Sequence, residues 1–205
     1  MPTLDPRTLQ LADIVITDAS NLVSHCGIVA GTSRVNTPGG IVNRADMIYH
    51  ATTKKGVSAD PASTWASERG KSSVFRCKTL RFLSQGGKPS GTSIAEAAVA
   101  LSTRCTYGKG RAWVKSWTGS SDYGASAKGR VAKYLQRLGA GGPFVTELYC
   151  SEYVVLAYQL AARGDENAGY FIDLDGKHTL PKDLRNWLLS RTRPGGTWSY
   201  LGELE

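Results

Sequence analysis

Short apolar runs separated by turn residues occupy the first third of the chain. Strands are predicted at 13–17, 22–30, 47–51 and 73–78. Each run is rich in Ile, Val, Leu or aromatic residues and is bounded by polar residues or glycine, which is typical of β-strands. The turn-rich residues 36–40 separate the second run from the third. This spacing favours an antiparallel meander.

Helical patterns follow in the rest of the chain. Helices are predicted at 93–101, near 130–138, over 150–163 and from 181 through 189. Gly164 is a suitable C-cap for the third of these helices, and Pro181 suits the first turn of the fourth. Strands followed by helices predict an α+β fold, with one domain over residues 1–205 and an antiparallel sheet packed against helices.

Composition and length agree with a globular domain. The chain has 205 residues, of which 41% are hydrophobic, enough for a substantial core. It has no run of about 18 apolar residues, so we expect no stable membrane insertion. Residues 1–7 lack the features of a secretory signal peptide. We therefore expect synthesis in the cytoplasm, or export by a route that does not read such a signal.

The cysteines and the charge narrow the possible chemistry. Cysteines stand at 26, 77, 105 and 150, with no CxxC pair, which argues against a structural zinc site and favours reduced thiols. No cofactor is expected. The net charge of +8 favours an anionic partner, such as nucleic acid, a membrane surface or an acidic cell-wall polymer, although a merely soluble basic protein fits as well.

Cys150 is the strongest candidate for chemistry. It stands where a turn enters the apolar helix predicted over 150–163. The positive end of a helix dipole favours thiolate, the reactive form of cysteine. The alternative is a small buried hydrophobe, which is the usual role of free cysteine.

His25 is the candidate base. Alternation along its predicted strand places His25 and Gly27 on one face and Cys26 on the other. His25 is therefore expected to serve a more distant thiol, with open space for that thiol beside Gly27. A structural histidine remains the alternative.

His50 is the candidate third residue. If its strand pairs with the strand of His25, the two imidazoles become cross-strand neighbours, and His50 fixes the tautomer of His25. An edge-strand polar residue is the alternative. A metal site formed by these histidines and a cysteine is conceivable, but the short paired spacing of zinc ligands is missing and we expect no metal.

A basic segment over residues 106–142 carries interleaved aromatic residues. They include Tyr107, Trp113 and Trp117. Basic groups with aromatics suit a sugar, an anionic polymer or single-stranded nucleic acid. A solvated surface with anchoring tryptophans explains the same composition.

Four segments together resemble one enzyme family. They are residues 12–16, 24–31, 48–52 and the sequence Tyr-Cys-Ser-Glu-Tyr-Val at 149–154. Their order is similar to the circularly permuted branch of the NlpC/P60 papain-like cysteine hydrolases, the YiiX/YebB-like and lecithin retinol acyltransferase-like group, in which the histidine strand precedes the cysteine helix. The resemblance spans roughly residues 10–163.

The resemblance implies a permuted papain-like fold and a Cys-His-His triad. Cys150 would be the nucleophile, His25 the general base and His50 the orienting residue. Residues 106–142 would be a basic insertion and residues 165–205 a C-terminal extension. The candidate substrate-binding residues are Tyr107, Trp113, Trp117 and Tyr149.

The function implied is cleavage of amide bonds, with peptidoglycan peptides as the expected substrate of a cell-wall amidase or endopeptidase. A compact chain of this kind is similar to antibacterial type VI secretion effectors, which implies delivery to the periplasm of a target cell and a cognate immunity protein. One alternative is a lipid-directed acyltransferase or thioesterase of the same fold. Another is a non-catalytic basic binding module, although nucleic acid is not the expected partner.

Overall fold

The structure is a computed structural model that describes residues 3–17, 24–37, 40–53, 56–81, 90–107, 120–140 and 146–205. The strands are β1 (Ile14–Thr17), β2 (Cys26–Thr37), β3 (Gly40–Thr52), β4 (Gly56–Pro61), β5 (Ser72–Cys77), β6 (Cys105–Tyr107), β7 (Thr146–Leu148) and β8 (Trp198–Leu204). The α-helices are α1 (Ala62–Arg69), α2 (Ser90–Ser102), α3 (Ala125–Gly139), α4 (Cys150–Ala161) and α5 (Pro181–Ser190). The α+β class is confirmed.

Six strands form one antiparallel sheet in the order β4-β3-β2-β1-β5-β8. β1, β2, β3 and β4 follow one another as a meander, but β4 was not predicted, and the fourth predicted strand, at 73–78, is β5. β5 pairs with the other side of β1, and β8 then closes that edge. β6 and β7 pair in parallel in a separate two-stranded sheet.

The pleat of the sheet divides the core into two layers, because successive side chains point to opposite faces. Ile14, Ile16 and Ile28 pack with α2 and α4. Val15 and Val29 face the other way and pack with Trp65 of α1. The sheet is therefore covered on both faces, and the ends of β2, β3 and β4 lie between the two layers.

Helix α4 is the centre of the larger layer. Eleven of its twelve residues are buried, as expected for a helix that is apolar around its whole circumference. Its polar side chains donate to carbonyls of the surrounding chain: Ser151 to Thr179, Tyr153 to Ala98, Tyr158 to Ala12, and Gln159 to Ile172 and Leu174. These bonds fix α4 against its neighbours on several sides.

Several elements differ from the prediction. β2 and β3 are longer than expected and pair as far as Thr37 and Gly40, while β4, α1 and β8 were not predicted at all. Helix α4 ends at Ala161, and Gly164 lies beyond its cap with a positive φ of 78°. The segment expected as a C-terminal extension supplies β8 to the main sheet.

The described part of the predicted basic insertion includes β6 and α3. Helix α3 packs beside α4 through the buried side chains of Ala127 and Val131. None of the helices in the described ranges is long and apolar enough to pass through a membrane.

Candidate active site

Cys150 is the first residue of α4 and is buried. Tyr149 precedes it as the N-cap, with extended backbone angles (φ −105°, ψ 174°). The backbone N–H groups in the first turn of a helix have no carbonyl partner within it, and they carry the positive end of the helix dipole. The position therefore favours an anionic sulfur and offers the N–H of Cys150 as a donor to a developing oxyanion.

Cys26, the first residue of β2, and His25, just before it, contact the Cys150 sulfur. The hydrogen bond from the Cys26 thiol is the main cause that lowers the pKa of Cys150 well below its ordinary value, and the charge and hydrogen bond of His25 act in the same direction against burial. The backbone N–H of Cys26 also donates to this sulfur. Burial, followed by the contact with Cys150, raises the pKa of Cys26 well above its ordinary value. The two pKa shifts have opposite directions, so Cys150 is the more acidic of the two thiols.

Cys26 was not expected at the site. Alternation does separate it from Gly27, as predicted, and it points into the core with Ile28. That face of the sheet carries α4, however, so Cys26 meets Cys150 directly. His25 lies just before β2 begins, and its ring contacts Cys150 from the end of the strand.

The two predicted histidines form a hydrogen-bonded pair. The strands β2 and β3 are antiparallel neighbours, as the sequence hypothesis required. His25 Nε2 lies 2.8 Å from His50 Nδ1, and the rings meet edge to face with centroids 4.9 Å apart. The structure therefore brings together His25, His50 and Cys150, although His25 and Cys150 are 125 residues apart in the sequence.

Asp60 extends this pair and was missed by the sequence reasoning. β3 and β4 pair with Ile48 opposite Asp60 and His50 opposite Ser58, so His50 and Asp60 are diagonal neighbours on one face. The His50 Nε2 atom lies 2.7 Å from Asp60 Oδ2. Asp60 is followed at once by Pro61 and α1, a typical helix entry, and this was the only local signal for it.

Gly27 permits the close approach of β3. A Cβ atom at this position would lie 2.6 Å from Ile48 Cγ2, 2.9 Å from the Tyr49 carbonyl oxygen and 3.2 Å from His50 Cβ. The prediction that the space beside Gly27 accommodates a thiol is wrong. That space is filled by Ile48 and His50, and the thiol approaches His25 elsewhere.

Trp65 of α1 packs against both imidazoles. Its ring stacks on His25 at 5.5 Å and 24°, and meets His50 edge to face at 5.1 Å. The indole Nε1–H donates to Ser72 Oγ at 3.0 Å, which fixes the ring in its buried position. Arg69, one helical turn later, lies over the same indole at 5.0 Å from its centroid.

His50 is held neutral near physiological pH. Burial is the main cause that lowers its pKa to about 4, and the charges of His25 and Arg69 add to it, against the opposing effect of Asp60. A neutral imidazole offers one donor and one acceptor, which is what an orienting residue needs. His50 therefore has the properties expected of the third residue.

The predicted substrate-binding residues have different placements. Tyr107 is half-buried at the end of β6, and burial together with the charges of Cys150 and Cys26 raises its pKa to about 12, so it lies near the thiol pair. Tyr149 is buried and donates its hydroxyl to the Gly176 carbonyl at 2.6 Å, which places its side chain in the packing behind α4. Trp113 and Trp117 lie outside the described residues.

The site combines an acidic thiol, an imidazole that reaches it, a second imidazole and a carboxylate. Over the described ranges, no group of three or more His, Cys, Asp or Glu is arranged to hold a metal ion. Comparison of the chain with protein-family models, curated proteins and solved structures found no match. Functional interpretation of this site therefore depends on its own residues and geometry.

Proposed function

We propose that this protein is a cysteine hydrolase that cleaves amide bonds, with a permuted papain-like (NlpC/P60) arrangement. The observation that carries the proposal is the continuous contact from His50 through His25 to Cys150. His25 Nε2 is 2.8 Å from His50 Nδ1, while the same His25 ring contacts the Cys150 sulfur. A nucleophile, a base and a residue that orients the base are the parts that acyl transfer by cysteine requires.

The first half of the reaction forms a thioester. The Cys150 thiolate attacks the carbonyl carbon of the scissile amide, and the backbone N–H of Cys150 donates to the resulting oxyanion. The His25 imidazolium then gives its proton to the leaving amine as the carbon–nitrogen bond breaks. The acyl group remains on the Cys150 sulfur, and His25 is left neutral.

The second half restores the enzyme. Neutral His25 takes a proton from water, and the resulting hydroxide attacks the thioester carbonyl. Collapse of the second tetrahedral intermediate breaks the carbon–sulfur bond. The products are a carboxylic acid and the Cys150 thiolate, paired again with the His25 imidazolium.

Peptidoglycan peptides are the proposed substrate. The net charge of +8 suits an anionic wall polymer. Helix α3 beside α4 supports this because it carries four basic residues and no acidic one. Two of the four, Lys128 and Arg130, are paired with Glu166 and Asp175 from elsewhere in the chain. In this proposal the protein acts in the periplasm of a target cell, and its producer carries an immunity protein that blocks the site.

Substrate digestion with matched variants tests this proposal. Purified peptidoglycan and acyl-lipid substrates are incubated with the wild type, Cys150→Ala, His25→Ala and the control Cys77→Ala, whose buried thiol contacts Thr79 away from the site. We expect new amine and carboxyl ends in peptidoglycan only, at least about a thousandfold less in the Cys150 and His25 variants, and retained activity in the control.

The other outcomes are equally informative. If products form from acyl lipids alone, the protein is a lipid-directed acyltransferase or thioesterase and not an amidase. If neither substrate is cut and iodoacetamide does not label Cys150 near neutral pH, the hydrolase proposal fails. Folding of each variant is checked by thermal unfolding, because all of the substituted residues are wholly or partly buried.

A further inference from the structure

The hydrogen-bonded chain from Cys150 does not end at His50. Asp60 Oδ2 lies 2.7 Å from His50 Nε2 and 3.4 Å from Arg69 Nη2, so one carboxylate oxygen contacts both groups. His50 is fully buried, whereas the Asp60 side chain is 25% exposed. The far end of the chain is therefore close to the surface, and Arg69 lies beside it.

The direction of every hydrogen bond in this chain follows from Asp60. An ionised carboxylate only accepts hydrogen bonds, so the proton of neutral His50 must be on Nε2. His50 Nδ1 is then a bare acceptor, and it can only receive a proton donated by His25 Nε2. When His25 is neutral, its Nδ1 consequently carries the lone pair.

We infer that Asp60 is a positioning residue that acts through His50 to hold His25 in the tautomer whose Nδ1 accepts the proton of the Cys150 thiol. The inference rests on the proposed function and extends it from a triad to a chain of four residues. Asp60 contacts neither the sulfur nor the reacting carbonyl in this arrangement. Its effect reaches His25 through two hydrogen bonds, and His25 in turn contacts the sulfur.

Asp60 also affects the charge balance of the site. When His25 becomes an imidazolium, the charged or titratable groups around it and His50 are Cys150, Cys26, Asp60 and Arg69, with Tyr107 near the thiols. Arg69 disfavours a positive charge on His50, and the Asp60 carboxylate offsets that effect. Removing only the Asp60 charge therefore leaves Arg69 unopposed and weakens the pair of His25 imidazolium and Cys150 thiolate.

The tautomers are measurable directly. The chain has only three histidines, so long-range 1H–15N correlation spectra are assigned with His25→Gln and His50→Gln. In Cys150→Ala at pH 8, where no thiolate holds a proton on His25, we expect both His25 and His50 to carry hydrogen on Nε2. A proton on Nδ1 of either ring would overturn the inference.

The pH profile of Cys150 alkylation provides the second test. The rate of iodoacetamide labelling, measured by peptide mapping, is compared in the wild type, Asp60→Asn and Asp60→Leu. Loss of a carboxylate this close to the imidazole pair is expected to raise the titration midpoint of Cys150 by about 1 unit or more. Labelling well below the wild-type midpoint then falls about tenfold for each unit of that shift. The rates are expected to converge at high pH, where the thiol is ionised in every variant.

Asp46→Asn is the matched control. Asp46 stands on β3, accepts two hydrogen bonds from Ser33 and is half-buried, but it lies outside the chain of four residues. Its substitution removes the same charge and is expected to leave the midpoint of Cys150 unchanged. Asp60→Glu restores the charge and is expected to recover part of the wild-type profile.

The outcomes separate this inference from the proposed function. If wild-type Cys150 shows an ordinary thiol profile, the hydrolase proposal itself fails. If His25→Ala raises the midpoint but Asp60→Asn and Asp60→Leu both keep the wild-type profile, the hydrolase stands and the role of Asp60 is wrong.

Discussion

The two ends of the site are built differently. The thiol end is the start of α4, where Cys150 begins a helix in which Ser151, Tyr153, Tyr158 and Gln159 all donate to backbone carbonyls of the surrounding chain. The Asp60 end consists of β4 and the short helix α1, in which only Ala62 and Trp65 are buried. One end depends on the packing of a large core, and the other on a single tryptophan and a few polar contacts.

Because the two ends are built differently, we expect substitutions at the two ends to change different measured quantities. Substitutions in α4 behind Cys150 act on the free energy of unfolding, because their partners are carbonyls that take no part in the reaction. Substitutions at the Asp60 end act on the ionisation of Cys150, because they change what His25 contacts. Trp65 belongs to both categories, since it is a buried core residue and also stacks on His25.

Trp65→Ala is therefore expected to have the largest effect. Loss of a fully buried tryptophan costs about 3–5 kcal/mol of unfolding free energy, measured by urea denaturation. The variant also removes the ring that packs on His25 and His50, so the alkylation midpoint of Cys150 is expected to rise towards that of an ordinary thiol.

Trp65→Phe is the control for this prediction. It keeps an aromatic ring against His25 but loses the hydrogen bond from the indole to Ser72. We expect a smaller loss of stability and a nearly unchanged Cys150 profile. If Trp65→Ala folds and keeps the wild-type midpoint, His25 is oriented without help from α1, and the Asp60 end does not control the ionisation of Cys150 through Trp65.

The next largest effect is a pH dependence of stability at His50. Its pKa is lowered from 6.5 to about 4 in the folded protein, so the unfolded chain binds the additional proton first as the pH falls. The stabilisation is complete above about pH 6.5 and is lost between there and about pH 4. Its full size is on the order of 3 kcal/mol.

Urea denaturation between pH 4 and pH 8 measures this effect in the wild type and in His50→Gln. The glutamine variant has no titrating group at this position, so its stability is expected to fall less over the same range. The carboxylates titrate in both proteins, so their contributions cancel when the unfolding free energy of one protein is subtracted from that of the other. Parallel curves for the two proteins would show that His50 is not held neutral by the fold.

The thiol end of the site could be predicted from the sequence for a physical reason. Residues 150–161 are predominantly apolar and follow a turn, and such a segment has few alternatives to a buried helix. Short apolar runs and a turn at 36–40 predicted the order of β1, β2 and β3. The contact of His25 with His50 was predicted only on the condition that their strands pair, and the structure meets that condition.

The Asp60 end has no comparable signal. Residues 56–69 contain few large apolar side chains, so neither β4 nor α1 has the regular spacing of apolar residues by which strands and helices are predicted. The contact of Asp60 with His50 depends on the register of β3 against β4, which is a long-range property. Cys26 was missed for a related reason, because alternation predicts opposite faces of a strand but not which face carries α4.

Ser151→Ala is expected to have the smallest effect on stability and none on the chemistry. Ser151 follows Cys150 directly, but its hydroxyl donates to the buried Thr179 carbonyl at 2.6 Å and points away from the thiol pair. Losing this bond leaves a buried acceptor unpaired and costs about 1–2 kcal/mol of unfolding free energy, measured by urea denaturation.

Ser102→Ala is the control. The Ser102 hydroxyl makes the same type of bond to Val99 at an exposed position, so we expect its loss to cost almost nothing. A raised alkylation midpoint for Cys150 in Ser151→Ala would contradict the separation of the two ends, because it would mean that the packing behind α4 also sets the ionisation of the nucleophile.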